Sequence, residues 1–372
     1  MRVLFINVQC GRGSHGKIAV SQAEKYEQQG HDVKIAYGRD NVPEKCKKYA
    51  VRIGSMYDVY AHALLTRLTD RHGFFSRGAT RRFLKWADDY NPDLLWLHNI
   101  HGYYINIEML FTWIKSRPNM KVFWTLHDCW PFTGHCGYFT FARCEKWRTH
   151  CEHCPQKHAY PASFVDTSFR NYEDKRRLFT GVKDMTLITP SQWLAELVSQ
   201  SFLKEYPCEV RHNEIDRNIF KPSASDFRER YGLAGKKIVL GVANRWEPRK
   251  GIGDFVKLSE ILPNEKFAVV LVGRKHDKLP ENIIHIDRTS NQQELAEIYS
   301  AGDVLFNPTY EDNYPTVNLE AEACGIPVIT YDTGGAPETI HREDSCVIKC
   351  GDIEAAKKCI ENICEGAVND ND

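Results

Sequence analysis

Short apolar runs alternate with helical stretches along most of the chain. Val3–Val8 reads as a buried strand, and Ile18–Gln29 carries apolar positions at helical spacing. Asp32–Ala36 is a second strand, and Thr80–Tyr90 a further helix. Asp93–Leu97 and Val122–Leu126 are strand-length apolar runs, the pattern of strands covered on both faces. Thr186–Thr189 follows as a strand, and Ser191 is placed to cap a helix reaching about Ser199. The rhythm resumes with strands at Lys237–Val242, Phe267–Val272, Ile283–Ile286, Val304–Asn307 and Val328–Thr330. Helices at Gln292–Ser300 and Val317–Cys324 lie between the last of these, and Ile353–Cys364 closes the chain. Such alternation predicts parallel α/β sheets. Two series predict two doubly wound, Rossmann-like domains meeting near residue 205, with an interdomain cleft at the carboxyl ends of their strands.

Residues 127–160 break this rhythm. They are rich in Cys, His, aromatics and Gly and show no period, so they read as an insertion with its own means of support. The spacing Cys136-x7-Cys144-x6-Cys151-x2-Cys154 offers four thiolates with one tight Cys-x-x-Cys clamp. That pattern suits a structural zinc ion with no open position, while disulfides and free thiols are the alternatives. His135, His150 and His153 are substitute ligands. A zinc knuckle among basic and aromatic residues also suggests nucleic acid, which the two-domain α/β pattern argues against.

A length of 372 residues and a 42% hydrophobic fraction fit about two globular domains. No apolar run reaches about 18 residues, so nothing is expected to span a membrane, and the N-terminal run is too short for a signal peptide. Thirteen cysteines are too sparse for a small disulfide scaffold, which points to the reducing cytosol. Charge changes the picture. Residues 1–200 hold 28 Lys and Arg against 19 Asp and Glu, whereas the rest hold 21 against 30. A basic first half suits an anionic partner, such as an acidic membrane surface on the inner face of the cell. The segment Arg67–Trp86 mixes Arg67, Arg71, Arg77, Arg81, Arg82 and Lys85 with Phe74, Phe75, Phe83 and Trp86, a composition that fits membrane-surface contact or an ordinary amphipathic helix pair.

Gly11-Arg-Gly13-Ser-His-Gly16 follows the first strand and opens a helix, with Asp40 after the second strand. The loop fits the dinucleotide fingerprint and would suit a nicotinamide-dependent oxidoreductase. Glycines at a helix start equally admit another phosphate or a sugar, or form a plain turn. In the second half, Arg245 leaves a strand end and Lys250 starts the next helix. A planar fork and a point charge together suit a diphosphate. Asp312 lies in a Pro-containing loop and Glu320 on the helix that follows. Carboxylates on either side of a helix N-terminus suit a sugar nucleotide, with its anion in the middle and hydroxyls at both ends. Asp332-Thr-Gly334-Gly335-Ala-Pro-Glu338 forms another strand-to-helix turn with room for a ligand.

Arg245…Lys250-Gly251, Asp312…Glu320, Ala-Cys324-Gly325-Ile-Pro327 and Gly334-Gly335-Ala-Pro-Glu338 together resemble retaining glycosyltransferases of family 4, which have the GT-B fold. Arg211–Phe220 is similar to that family's interdomain segment. The resemblance implies an acceptor-binding domain over 1–205, a nucleotide-sugar domain over 206–350, and a C-terminal helix within 351–372 that packs on either domain. It implies that Arg245 and Lys250 hold the donor diphosphate and that Asp312 binds hydroxyls of the transferred sugar. Glu320 then binds the ribose, and the backbone from Asn313 and Tyr314 through Thr316 and Val317 meets phosphate. Gly335 and Gly13 lie in the ligand-binding turns. His127, after a first-domain strand, stands beside the transferred sugar, with His98 and His101 near it and Asp128 placed to orient its imidazole. The family usually has Glu where this chain has Asp312, and the loop lacks the usual central glycines. The implied donor is a UDP- or GDP-sugar, with a saccharide or lipid-linked saccharide as acceptor and no metal needed for the chemistry. The rival expectations are an NAD(P)-dependent oxidoreductase and a non-catalytic nucleotide-sugar-binding protein.

Overall fold

The computed structural model describes residues 1–275 and 278–366. It divides into two compact units, Met1–His212 and the chain from Asn213 onward.

The first unit runs β1 (Arg2–Asn7), α1 (Gly13–Gln28), β2 (Asp32–Tyr37), β3 (Ala50–Arg52), α2 (Met56–Thr69) and α3 (Arg77–Tyr90). It continues through β4 (Leu94–Leu97), α4 (Ile107–Lys115), β5 (Lys121–Thr125), α5 (Ser168–Phe179), β6 (Met185–Thr189), α6 (Gln192–Ser199) and β7 (Cys208–Val210). The strands form one parallel sheet in the order β3-β2-β1-β4-β5-β6-β7. Central β1 is buried on both faces from Val3 to Asn7, as a strand between two helical layers must be. Ser191 caps α6 by accepting from the Leu194 N–H, Asn106 caps α4, and Ser55 with Asp58 forms a capping box on α2.

The second unit contains the single-turn α7 (Phe227–Arg230), β8 (Lys237–Arg245), α8 (Ile252–Ile261), β9 (Phe267–Arg274) and β10 (Ile283–Ile286). It then adds α9 (Gln292–Ala301), β11 (Val304–Asn307), α10 (Thr316–Ala323), β12 (Val328–Tyr331), β13 (Cys346–Ile348) and α11 (Ile353–Glu365). Its parallel sheet has the order β10-β9-β8-β11-β12-β13. Helix α11 buries Ala356, Ile360 and Cys364 in this unit's core, beside α8. Positions 367–372 of the expected C-terminal segment lie outside the described residues.

The insertion contains two short 3-10 turns, Trp130–Phe132 and Lys146–Arg148. Packing holds it. Trp130, Phe132, Phe139 and Trp147 are buried in the first unit's core. Buried Lys175 donates to the carbonyls of Trp130 and Thr133 at 2.8 and 3.0 Å, and His135 is bonded to buried Asp70. Cys136, Cys144, Cys151 and Cys154, the expected zinc ligands, line one small cavity. Among the described residues no group of three or more His, Cys, Asp or Glu side chains is arranged to hold a metal ion. The Cys136 and Cys154 thiols are hydrogen-bond partners, Cys151 accepts from the Gly134 N–H at 3.2 Å, and all four are free cysteines.

The 67–86 segment also differs from its membrane-contact reading. Phe83 is buried, Phe74 and Trp86 pack against the core, Arg71 pairs with Asp174, and Arg77 pairs with Glu108. Its aromatics are structural, and only part of its basic charge faces water. Among the described residues no helix is long and apolar enough to cross a membrane.

Candidate functional site

The second unit gathers its sequence-predicted residues at the carboxyl ends of β8, β11 and β12. Strand β8 ends at Arg245, a short turn carries Lys250, and α8 begins after Gly251. Gly251 has φ +74°, and a Cβ there would lie 2.2 Å from the Pro308 carbonyl oxygen. Only glycine lets the α8 turn approach the β11 end so closely. The approach brings Lys250 Nζ to 2.5 Å from Asp312 Oδ2, with the two side chains 21% and 20% exposed. Arg245 is not part of this pair. Its side chain is half exposed and faces Glu247 at 3.9 Å.

The turn after β12 closes on the same acid. The Gly335 N–H donates to the Asp312 carbonyl at 3.1 Å. Gly334 has φ +58°, and a Cβ there would fall 2.0 Å from that carbonyl oxygen. Asn313 and Tyr314 are buried, Pro315 is the N-cap of α10, and Thr316 and Val317 form its first turn. Helix α10 thus begins four residues after Asp312, and the first N–H groups of a helix lack carbonyl partners in the preceding turn. One turn further, Glu320 accepts from the Tyr299 hydroxyl at 3.1 Å.

Buried polar groups that the motifs did not single out hold these turns. Asp254, on α8, accepts from Tyr310 at 2.7 Å and from Tyr331 at 2.9 Å. Asn307 donates to Asn318, which donates to Thr339, each at 2.8 Å, tying α10 to β11 and to the turn after Gly335. Asp254 is recognisable in sequence only as an acid three residues after a glycine, a signal shared with any helix start.

The first unit builds a separate cluster. Gly13 opens α1, and His15, in the first turn of that helix, lies with its ring centroid 4.5 Å from that of His127. His127, beyond β5, shares a 3.0 Å hydrogen bond with His98 Nδ1, beyond β4. Asp128 does not orient His127. It bonds His101 Nε2 at 2.9 Å and accepts from the Trp130 N–H. Adjacent residues on an irregular segment point apart, so neighbours in sequence serve different partners. Burial drives the His98 imidazole down to about 3 and pushes His127 well below its ordinary range, with His15 as a further cause. Both are neutral near pH 7, so one ring donates and the other accepts. Burial raises Asp128, but His101 and the Trp130 N–H outweigh it and hold the carboxyl below its usual range. His15 was detectable only as a polar residue inside the glycine loop. Asp40, the acid a dinucleotide site would turn to a ribose, is occupied by the Gln9 side-chain amide.

Comparison with known proteins agrees with two Rossmann-like halves. The Glycosyltransferase Family 4 model matches residues 16–218, and the Glycosyl transferases group 1 model matches residues 223–371. WcaC of Escherichia coli (strain K12), provisionally named a colanic acid biosynthesis glycosyl transferase, is 24% identical over 363 residues, covering 92% of this chain and 86% of WcaC. Among solved structures, a sucrose-phosphate synthase from Thermosynechococcus elongatus superposes with a TM-score of 0.70 at 16% identity, covering 98% of this chain and 90% of the other. Anabaena Alr3699/HepE, in complex with UDP-glucose, gives 0.63 at 16% identity, covering 97% and 89%. With the first of the two models spanning more than half of its residues, the chain belongs to glycosyltransferase family 4 and is a glycosyltransferase of the GT-B fold.

Proposed function

We propose that the protein transfers a hexose, with retention at the anomeric carbon, from a UDP- or GDP-sugar to a saccharide or lipid-linked saccharide during surface-polysaccharide assembly. The observation that carries this reading is the meeting of Lys250 and Asp312 at the N-terminus of α10, against the Gly334–Gly335 turn. A cation, a carboxylate and the helix N-terminus that follows it match a diphosphate joined to a polyol. The UDP-glucose complex of HepE and the name of WcaC support the donor class and the pathway class, respectively.

In this mechanism Lys250, Arg245 and the α10 N-terminus stabilise the charge that grows on the leaving diphosphate, an electrostatic contribution larger in the transition state than in the ground state. Asp312 accepts from hydroxyls of the transferred sugar, and Glu320 accepts from the ribose. The acceptor hydroxyl passes its proton to the departing phosphate as the new glycosidic bond forms.

Thermal denaturation with a panel of UDP-sugars, GDP-sugars and NADH tests the reading. A nucleotide sugar should raise the melting temperature, because a ligand of the folded state stabilises it. Stabilisation by NADH alone would reject the proposal in favour of the glycine-loop alternative. Donor turnover with a saccharide acceptor separates catalysis from mere binding.

A further inference from the structure

Three loops meet at the carboxyl edge of the first sheet, where β1 lies between β2 and β4 and the strand order reverses, the position at which open α/β sheets take ligands. Arg39 follows β2, and its N–H donates to the carbonyl of Val8, just beyond β1, at 2.9 Å. Gly102 and Tyr103 follow β4, with φ of +107° and +72°. A Cβ on Gly102 would lie 2.7 Å from Val8 Cγ2 and 3.9 Å from Arg39 Cδ, so this turn sits against the arginine stem. A left-handed backbone is costly for a tyrosine, and such strain collects where ligands are held. Here the Tyr103 ring lies 4.6 Å from that of buried His72 and 5.9 Å from that of Tyr160.

The groups gathered there are donors that lack acceptors. Burial drives the His72 imidazole well below its ordinary range, so the ring is neutral. Its Nε2 accepts from the Gly102 N–H at 3.1 Å, which puts the proton on Nδ1, a buried atom without a partner among the described residues. Arg39 Nε is buried without a partner in the same way, and among the described residues neither Arg39 nor Arg67 forms an ion pair. The Tyr103 hydroxyl makes no hydrogen bond among the described residues. Burial pushes it up to about 12, with Arg39 and Arg67 pulling the other way, so it keeps its proton at neutral pH. The nearby acids are engaged elsewhere: Asp40 by the Gln9 amide and Asp128 by His101. Unmet buried donors mark a place that a ligand or water completes. An arginine fork with two further donors and no free carboxylate fits an oxyanion, whereas a neutral hydroxyl would leave the charge unmatched. Arg39 and Tyr103 are half-buried and Tyr160 is exposed, so the place is open to solvent.

We propose that Arg39, His72 and Tyr103 bind an acidic substituent, a carboxylate or a phosphate monoester, on the sugar of the acceptor, so that the enzyme favours acidic acceptors over neutral ones. That this sugar is the acceptor rests on the transfer reaction proposed above, whereas the binding of its anion rests on the first unit alone.

The test is calorimetric titration of the full chain with methyl α-glucuronide, glucose 6-phosphate and methyl α-glucoside, with urea unfolding of each variant alongside. At least one acidic sugar should bind about tenfold or more tighter than the neutral glucoside, and its affinity should fall as salt rises. Binding of the glucuronide alone assigns a carboxylate, and binding of the phosphate alone assigns a phosphate monoester. Arg39→Gln should weaken that binding by about tenfold to a hundredfold, the loss of a charge-assisted pair. Tyr103→Phe, which removes only a hydroxyl, should weaken it by about threefold to tenfold. Lys250→Ala should bind the acidic sugar as the wild type does, even where it no longer binds a nucleotide sugar. The proposal is overturned if no acidic sugar binds better than the glucoside, or if the Arg39 and Tyr103 variants both bind like the wild type. Binding lost in Lys250→Ala and kept in Arg39→Gln also overturns it, by returning the anion to the donor turn. If the acidic sugar binds through Arg39 while no nucleotide sugar stabilises the protein, the donor reading fails and this one stands.

Discussion

Lys250 Nζ lies 2.5 Å from Asp312 Oδ2, joining the turn before α8 to the loop before α10 across 62 residues of chain. Each side chain keeps about a fifth of its surface in water. A pair this exposed adds at most about 1 kcal/mol to stability. In the proposed mechanism its value is positional, because it holds a cation where a bound diphosphate would displace the carboxylate onto sugar hydroxyls.

Lys250→Ala should therefore cost activity far more than stability. Donor turnover is expected to fall by about 10²–10³, the usual loss when one preorganised electrostatic group is removed, while urea unfolding shifts by about 1 kcal/mol or less. Near-normal turnover in the variant would remove Lys250 from the mechanism.

Gly334→Ala should cost both stability and donor binding. The new Cβ would meet the Asp312 carbonyl oxygen at 2.0 Å on a residue with φ +58°, so the loop carrying the acid must move. We expect a stability loss of more than about 1 kcal/mol, read by urea titration, together with loss of donor binding by calorimetry. A variant that binds donor normally would mean that this turn does not set the Asp312 position.

Tyr331→Phe should cost about 1.5–3 kcal/mol, because Asp254 is buried and would lose one of its two tyrosine donors. Tyr310→Phe, at a less buried position, should cost less. Equal losses in the two variants, measured by chemical denaturation, would show that burial does not grade this network.

Stability should fall on mild acidification. Burial lowers the His62 and His98 imidazoles from 6.5 to about 3 in the folded chain. Unfolded histidines therefore take up protons below about pH 6.5 while the folded ones do not. Each group then removes about 1.4 kcal/mol per pH unit between about 6.5 and 3. His98→Gln should flatten the slope of unfolding free energy against pH by about one proton. An unchanged slope would mean that His98 is already charged in the folded state.

Much of the fold was legible because strands and helices are local. Val3–Val8, Asp93–Leu97 and Val304–Asn307 read as buried strands, and Ser191 as a cap, because side-chain periodicity and capping depend on a few consecutive residues. The three-residue β3, β7 and β13 were missed. Each sits at an edge of its sheet and is too short to display a period. Helix α2 was missed for another reason, since its apolar residues face outward and its inner face is partly polar.

The chain alone determined the α/β class, the two-series layout and the motif set that marks the family, all of which are written in local spacing and residue type. Only the tertiary structure decided which groups meet: Lys250 with Asp312, His127 with His98, Asp128 with His101, Asp40 with Gln9, and four cysteines around a cavity without a metal-binding arrangement. The physical reason is that each pairing is set by the relative placement of strand ends and loops far apart in sequence. Backbone geometry such as the Gly251 and Gly334 turns fixes those separations, and residue spacing does not encode them.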